Sequence, residues 1–257
     1  MSAVAVAAIV FACVFGGALA GFALTAILPE DHLNAASKDV VKVATAMIAT
    51  LAALVIGLLV ASAKGSFDAK ETEFTQLASR VILLDRTLAQ YGPETGAARG
   101  VLRAVAVNRL HAIWPDEGGV EDKAIGNSLG RQPDGIEAMQ GMLHRLAPQG
   151  DEQLYLKAKA LQTADEIAAA RWLLFEQVRG SLQWPFLAIV VFWLAIIFAS
   201  FGLSAPRNAT VLVALFASAL SVAAAMFLIV QLDQPYDGLV RISSAPLRQA
   251  IAVLGKP

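Results

Sequence analysis

One stretch decides the fold of this chain: residues 43–63 read VATAMIATLAALVIGLLVASA and carry no charge. As an α-helix these 21 residues measure about 31 Å, enough to cross the ~30 Å hydrocarbon core of a bilayer. Because lipid offers no partners to backbone polar groups, a helix is the structure expected there. Three longer stretches are also free of charge, at residues 1–29, 180–206 and 208–232. The sequence therefore predicts four transmembrane helices.

The charges of the chain are concentrated between the second and third of these stretches. Residues 64–183 hold 14 of the 20 Lys and Arg residues and 16 of the 21 Asp and Glu residues. A hydrophobic fraction of 57% and a mean hydropathy of +0.60 support a membrane protein. We expect an all-α fold with this organisation: transmembrane helices 1 and 2 at residues 1–63, a cytoplasmic helical bundle at 64–183, transmembrane helices 3 and 4 at 184–232, and an amphipathic cytoplasmic tail at 233–257.

The basic residues also predict the orientation in the membrane. The domain carries 14 of them and the tail three more, whereas the opposite loops carry only Lys38, Lys42 and Arg207. Since basic residues favour the cytoplasmic side, we expect the domain and both termini to be cytoplasmic. The first stretch lacks the positively charged start of a signal peptide, so we expect it to remain as a transmembrane helix.

Residues beyond the second stretch indicate that its helix continues into the cytoplasm. Positions on one face recur at alternating spacings of three and four, which is a heptad pattern. They are Phe67, Lys70, Phe74, Leu77, Val81, Leu84, Leu88 and Tyr91. This seam must pack either on a neighbouring helix of this chain or on the same helix of another subunit. Gly92 and Pro93 end the helix.

Three further helices are expected in the domain. One runs from Pro93 to Trp114, a short one begins at Asp134, and the last begins at Asp151. Between the first two, residues 116–133 are acidic and rich in glycine, which is typical of a loop. The acidic residues lack the alternating spacing of a calcium-binding loop, so we interpret them as solvated.

Nothing in the sequence indicates catalysis or a bound cofactor. His32, His111 and His144 lie far apart, and no zinc helix motif, phosphate-binding loop or nucleophile elbow occurs. Cys13 is the single cysteine, which excludes a disulfide within the chain. We therefore expect a protein that is not an enzyme, with no catalytic or metal site, no cofactor and no nucleic-acid partner.

The charges at the membrane edge are more informative, above all Lys42 at the head of the second transmembrane helix. Small or weakly polar residues follow it on a similar face: Thr45, Thr50, Ala53 and Gly57. One interpretation is helix packing, with Lys42 reaching the interface or pairing with Asp39. The other is a water-facing wall of a conduction path. Lys38, Asp39 and Arg207 then belong to its outer mouth, although Arg207 also fits an ordinary interfacial anchor.

A sharp turn follows the fourth transmembrane helix. Asp233 is placed to accept hydrogen bonds from this turn, and Pro235 and Gly238 bend the chain. Arg241 can pair with Asp237, four residues earlier. The turn either docks the tail along the membrane or the domain, or it acts as a gate.

Several segments resemble the bacterial bestrophin-like domain family, long catalogued as a domain of unknown function. Near the second transmembrane helix they are LPEDHL (28–33), SKDVV (37–41) and LLVASAK (58–64). Further along they are LLDRTL (83–88), YGP (91–93), RWLLFE (171–176) and APRNAT (205–210). The most specific is LDQPYDGL (232–239), followed by ISSAPLR (242–248). Together these motifs span nearly the whole chain.

The resemblance implies kinship with bestrophins, which are oligomeric ion channels, typically pentamers, with a cytoplasmic helical domain between the second and third transmembrane helices. It implies a homo-oligomeric channel for inorganic ions, surrounded by lipid in the bacterial inner membrane. A ring of Lys42 side chains, tempered by Asp39, would make the channel weakly anion-selective. Unlike the pore helix of bestrophins, residues 43–63 contain no aromatic side chain. The alternative function is a membrane scaffold or signalling protein whose cytoplasmic helices bind a partner.

Overall fold

The computed structural model describes residues 2–27, 29, 35–115, 135–177, 184–233, 235 and 238–256. In these residues the structure contains eight α-helices and no β-strand, so the all-α prediction is confirmed. The helices are α1 (Ala3–Ile27), α2 (Ala35–Tyr91), α3 (Gly96–Ile113), α4 (Gly135–His144), α5 (Asp151–Gln177), α6 (Trp184–Ser204), α7 (Ala209–Asp233) and α8 (Ala245–Val253).

Four of the helices, α1, α2, α6 and α7, are long and apolar enough to cross a membrane. The prediction of four such helices is thereby confirmed. α2 has 57 residues and continues well beyond its apolar part, as the heptad pattern predicts. It ends at Tyr91 because Gly92 takes a φ of 139°, a conformation that favours glycine, and because a 3₁₀ turn begins at Pro93.

The chain divides into two compact units, of which the first comprises Met1–Phe67 and Gly180–Val240. In this unit α1 packs along α6 and α7. A Cβ atom added at Gly21 would collide with the carbonyl group of Ala199 in α6, and one added at Gly17 would also collide with the α6 backbone. The two helices therefore approach each other as closely as their backbones allow, which is how small residues hold membrane helices together.

The second unit comprises Asp68–Arg179 and Arg241–Pro257. The heptad seam of α2 lies in its core, since all seam residues in this unit are buried except Leu77, which is half-buried. Phe74 of the seam meets Trp114 edge to face, with ring centroids 5.2 Å apart. The seam thus packs on a neighbouring part of its own chain and is not a free surface for another subunit.

The C-terminal tail lies on the helical domain. α8 packs on α3, with its apolar face buried. Beyond α8, the backbone N–H of Gly255 lies 3.4 Å from both carboxylate oxygens of Asp85 in α2. The carbonyl of Lys256 accepts a hydrogen bond of 2.8 Å from the guanidinium of Arg99 in α3. Residues 241–257 are therefore part of the second unit, which is one of the two positions that the sequence left open for the tail.

Three predictions fall outside the described residues. They are the loop at residues 116–133, the start of a helix at Asp134, and the pairing of Arg241 with Asp237.

Candidate functional site

α2 presents three different faces along its apolar part. One face packs inside the first unit, where Ala52 and Ala63 are buried and Ile48, Val55 and Leu59 are partly buried. Successive residues of an α-helix are about 100° apart, so spacings of three, four and seven place these residues on one side. The other two faces are exposed, and they differ in composition.

The first exposed face carries bulky apolar side chains. Its residues are Val40, Met47, Leu51, Leu54 and Leu58. Each of these side chains is half exposed or more. Such a face suits contact with lipid acyl chains or with another apolar helix.

The second exposed face, which we call the small-residue strip, consists of Ala46, Thr50, Ala53 and Gly57. The hydroxyl of Thr50 donates a hydrogen bond of 2.9 Å to the carbonyl of Ala46. A Cβ atom added at Gly57 would meet no atom within 4 Å. Three of the residues predicted to line a path, Thr50, Ala53 and Gly57, share this strip. Its composition either allows another helix to approach closely or leaves room for water and ions.

Thr45 does not belong to the strip, which corrects its expected grouping with the other three. It lies about 140° around the helix from Thr50, because five residues separate them. Its side chain is only 7% exposed. It lines a cleft between α2 and α6 together with Ser200 and Phe201. Thr45 therefore faces the interior of the first unit.

Two charged residues stand at the N-terminal end of the strip. The Lys42 ammonium lies 3.3 Å from a carboxylate oxygen of Asp39, and the two side chains are 66% and 73% exposed. An ion pair this exposed contributes little to stability. Both groups are therefore open to solvent and ions. Lys38, predicted together with Asp39 at the outer mouth, is partly buried one turn before Lys42.

Arg207 has a different environment. Its guanidinium donates hydrogen bonds to the carbonyl of Phe22, at 2.7 Å, and to the hydroxyl of Thr25, both near the C-terminal end of α1. A cation near the C-terminal end of a helix interacts favourably with the helix dipole. Within the described residues, no contact joins Arg207 to Lys38 or Asp39. Its observed contacts are those of an anchor for α1.

The turn after α7 is held by a residue that the sequence reasoning missed. Gln231 is buried, and its Oε1 accepts a hydrogen bond of 2.9 Å from the backbone N–H of Leu239. Gly238 has a φ of 99°, and a Cβ atom there would collide with the Gln231 amide. Asp233 and Pro235, both predicted for this turn, are buried. The turn is thus packed against the end of its own helix.

The remaining predicted turn residue, Arg241, is exposed and belongs to the second unit. A signal for Gln231 was present in the sequence, because it is the last polar side chain before the end of a charge-free stretch. A polar group at that depth needs a partner from the protein. Asp85 and Arg99 were also missed as structural residues, since charged side chains in a helical domain are usually solvated.

Four apolar helices of membrane-spanning length, joined to a helical second unit, define a multi-span membrane protein. A family model described as the Bestrophin-like domain matches residues 12–247, nearly the whole chain. The chain therefore belongs to the bestrophin-like family, and the resemblance seen in its motifs is confirmed. Neither a curated protein nor a solved structure matches it.

Proposed function

We propose that this protein is an oligomeric ion channel of the bacterial inner membrane whose conduction path is lined by the small-residue strip of α2. In this proposal Lys42 gives the channel a weak preference for anions. The second unit and both termini are cytoplasmic, and the number of subunits is five by analogy with bestrophins.

The observation that carries the proposal is the low burial of α2. Only 11% of its most apolar 18-residue stretch is buried, against 28% in α1 and 33% in each of α6 and α7. Its hydropathy of 2.5 equals that of α1 and α7. α2 is therefore as apolar as the other helices but has few neighbours within its own chain. An assembly of several chains would supply neighbours for it.

The composition of its two exposed faces supports an orientation for α2 in that assembly. The bulky face is suited to lipid or to a neighbouring apolar helix. The small-residue strip is a poorer surface for lipid, because it offers few atoms for dispersion contacts. Around a central axis, the same strip would leave a lumen with room for water and ions. Symmetry would then repeat Lys42 and Asp39 once per subunit at one mouth of that lumen.

The alternative function, a scaffold or signalling protein, has weaker support. The heptad seam is an apolar surface that the sequence offers to a partner helix in the domain. It is buried within its own chain instead. A scaffold would have to use another surface of the second unit.

Flux from proteoliposomes tests the proposal, with two adjacent residues as matched sites. Ala53→Trp places a large ring on the small-residue strip and should reduce ion flux to the level of empty liposomes. Leu54→Trp places the same ring on the bulky face and should leave the flux close to that of the unmodified protein. A protein that has the mass of one chain in detergent and carries no ion under any gradient would support the scaffold instead.

A further inference from the structure

A cleft lies beside the small-residue strip, between the start of α2 and the end of α6. Its volume is about 420 Å³. From α2 it is lined by Val41, Lys42, Thr45, Ala46 and Ala49, and from α6 by Ser200, Phe201 and Ser204. It extends along α2 from Val41 to Ala49, which corresponds to roughly 12 Å along the helix.

The position of the cleft places it at the edge of the membrane. Lys42 immediately precedes the charge-free stretch at residues 43–63, and Ser204 is the last residue of α6. The mouth of the cleft is therefore level with lipid headgroups, and its deeper part is level with the upper acyl chains. A ligand that fits must be polar at one end and apolar at the other.

The walls of the cleft also have a polar end and an apolar end. Ala49 and Phe201 provide apolar surface, and the small side chain of Ala49 leaves space between the helices. Lys42 provides an ammonium group with three donors, of which the pair with Asp39 uses one. The cleft can therefore offer free donors to an anionic group at its mouth.

Thr45 is a second, independent observation that points to a ligand. Its side chain is 7% exposed and lines the cleft. Within the described residues its hydroxyl has no hydrogen-bond partner. Thr50, on the exposed strip, instead turns its hydroxyl to the carbonyl of Ala46. The hydroxyl is accessible from the cleft, so it can pair with an acceptor on a bound molecule.

We propose that the α2–α6 cleft binds one anionic phospholipid. Its acyl chain lies between Ala49 and Phe201, an ester carbonyl accepts a hydrogen bond from Thr45, and the phosphate accepts from Lys42. A second copy of the chain is a poorer occupant, because a cleft of this volume has the size of a small-molecule site. The test measures lipid binding only, and a phosphate bound to Lys42 would partly neutralise the positive charge that the proposed function places at the mouth of the lumen.

The test compares two lipids in detergent-purified protein. Phosphatidylglycerol is anionic and phosphatidylcholine is zwitterionic, while their acyl chains can be identical. Ligand that binds only the folded protein raises the melting temperature, so phosphatidylglycerol should raise it more than phosphatidylcholine. Native mass spectrometry should detect one retained phosphatidylglycerol per chain.

Substitutions in the cleft test whether the response to phosphatidylglycerol arises there. Thr45→Val, which keeps the side-chain shape, should weaken the response to phosphatidylglycerol, and Thr50→Val is its matched control and should not. Lys42→Gln should make the two lipids equivalent. Ala49→Phe should fill the cleft and abolish the retained lipid. Equal responses to both lipids in the unmodified protein, or an unchanged response in Thr45→Val, would overturn the proposal.

Discussion

Asp85 and Arg99 form a two-point ion pair between α2 and α3 inside the second unit. The carboxylate of Asp85 accepts hydrogen bonds from Nε of Arg99 at 2.8 Å and from Nη2 at 3.0 Å. Asp85 is only 1% exposed. The hydrogen bond with Asp85 is the main reason why the pKa of Arg99 is raised above its ordinary value. The same two side chains also contact the backbone of Gly255 and Lys256, so one buried pair joins two helices and the tail.

Removing the charge of Arg99 should therefore destabilise the protein strongly. Arg99→Gln leaves the Asp85 carboxylate buried without its partner, a change that typically costs about 3–5 kcal/mol. Arg80→Gln is the matched control: Arg80 pairs with Glu166 at 3.3 Å, but the two side chains are 34% and 46% exposed. Its loss should cost about 0.2–1 kcal/mol. Thermal unfolding in detergent compares the two, and equal losses would contradict the role given to Asp85.

The contribution of Arg99 to the stability of the folded protein should be the same at pH 7 and at moderately alkaline pH. Because its pKa is raised in the folded protein, the stability that it provides is lost only as the pH rises through that value. The ordinary pKa of arginine already lies far above pH 10. The difference in melting temperature between the unmodified protein and Arg99→Gln is thus expected to stay constant from about pH 7 to 10. A difference that shrinks over this range would contradict the prediction.

A larger residue at Gly21 should separate α1 from α6. Gly21→Leu forces a side chain against the backbone of Ala199, and overpacking of this kind costs about 1–3 kcal/mol or more. Gly16→Leu makes the same change on α1 at a site where an added Cβ atom meets nothing within 4 Å. We expect a lower melting temperature for Gly21→Leu and little change for Gly16→Leu. Similar melting temperatures for both variants would argue against the close approach of α1 and α6.

The turn after α7 should not tolerate a side chain at position 238. Gly238→Ala requires a positive φ from alanine, at about 1–3 kcal/mol, and also pushes against the Gln231 amide. Gly255→Ala isolates the first effect, since Gly255 has a φ of 79° but an added Cβ atom there meets nothing within 4 Å. Gly238→Ala should therefore lower the melting temperature more than Gly255→Ala. Adding Gln231→Ala to Gly238→Ala should restore part of the additional loss in melting temperature. If it restores none, the Gln231 amide is not the cause of that loss.

Ion selectivity should respond in opposite directions to the two charges at the head of the strip. Lys42→Glu should move the reversal potential under a salt gradient toward cations, because a ring of positive charge becomes a ring of negative charge. Asp39→Asn should strengthen the preference for anions, because it removes the group that partly neutralises Lys42. Planar bilayer recordings measure both shifts. An unchanged reversal potential in Lys42→Glu would place this lysine outside the conduction path.

The membrane helices could be predicted from the sequence because a lipid environment leaves few options for an uncharged stretch of such length. The partners of individual side chains could not be predicted in this way. The heptad pattern shows which face of α2 is apolar, but Phe74 gives no sign that Trp114 will be its neighbour. The grouping of Thr45 with Thr50 on one face could have been avoided, because the angle of about 140° between them follows from helix geometry alone. Asp85 was unpredictable because its partners Arg99 and Gly255 come together only through folding.

The unbroken length of α2 has a mechanical consequence. Its apolar part, residues 43–63, contains no proline that would interrupt the helix hydrogen bonds. The small-residue strip and the bulky face both lie along this part of α2, so a rotation of it about the helix axis moves both faces together. A turn of about 100° would replace the small-residue strip by the bulky face that carries Leu54 and Leu58. A rotation of α2 about its own axis would thus exchange one exposed surface for the other.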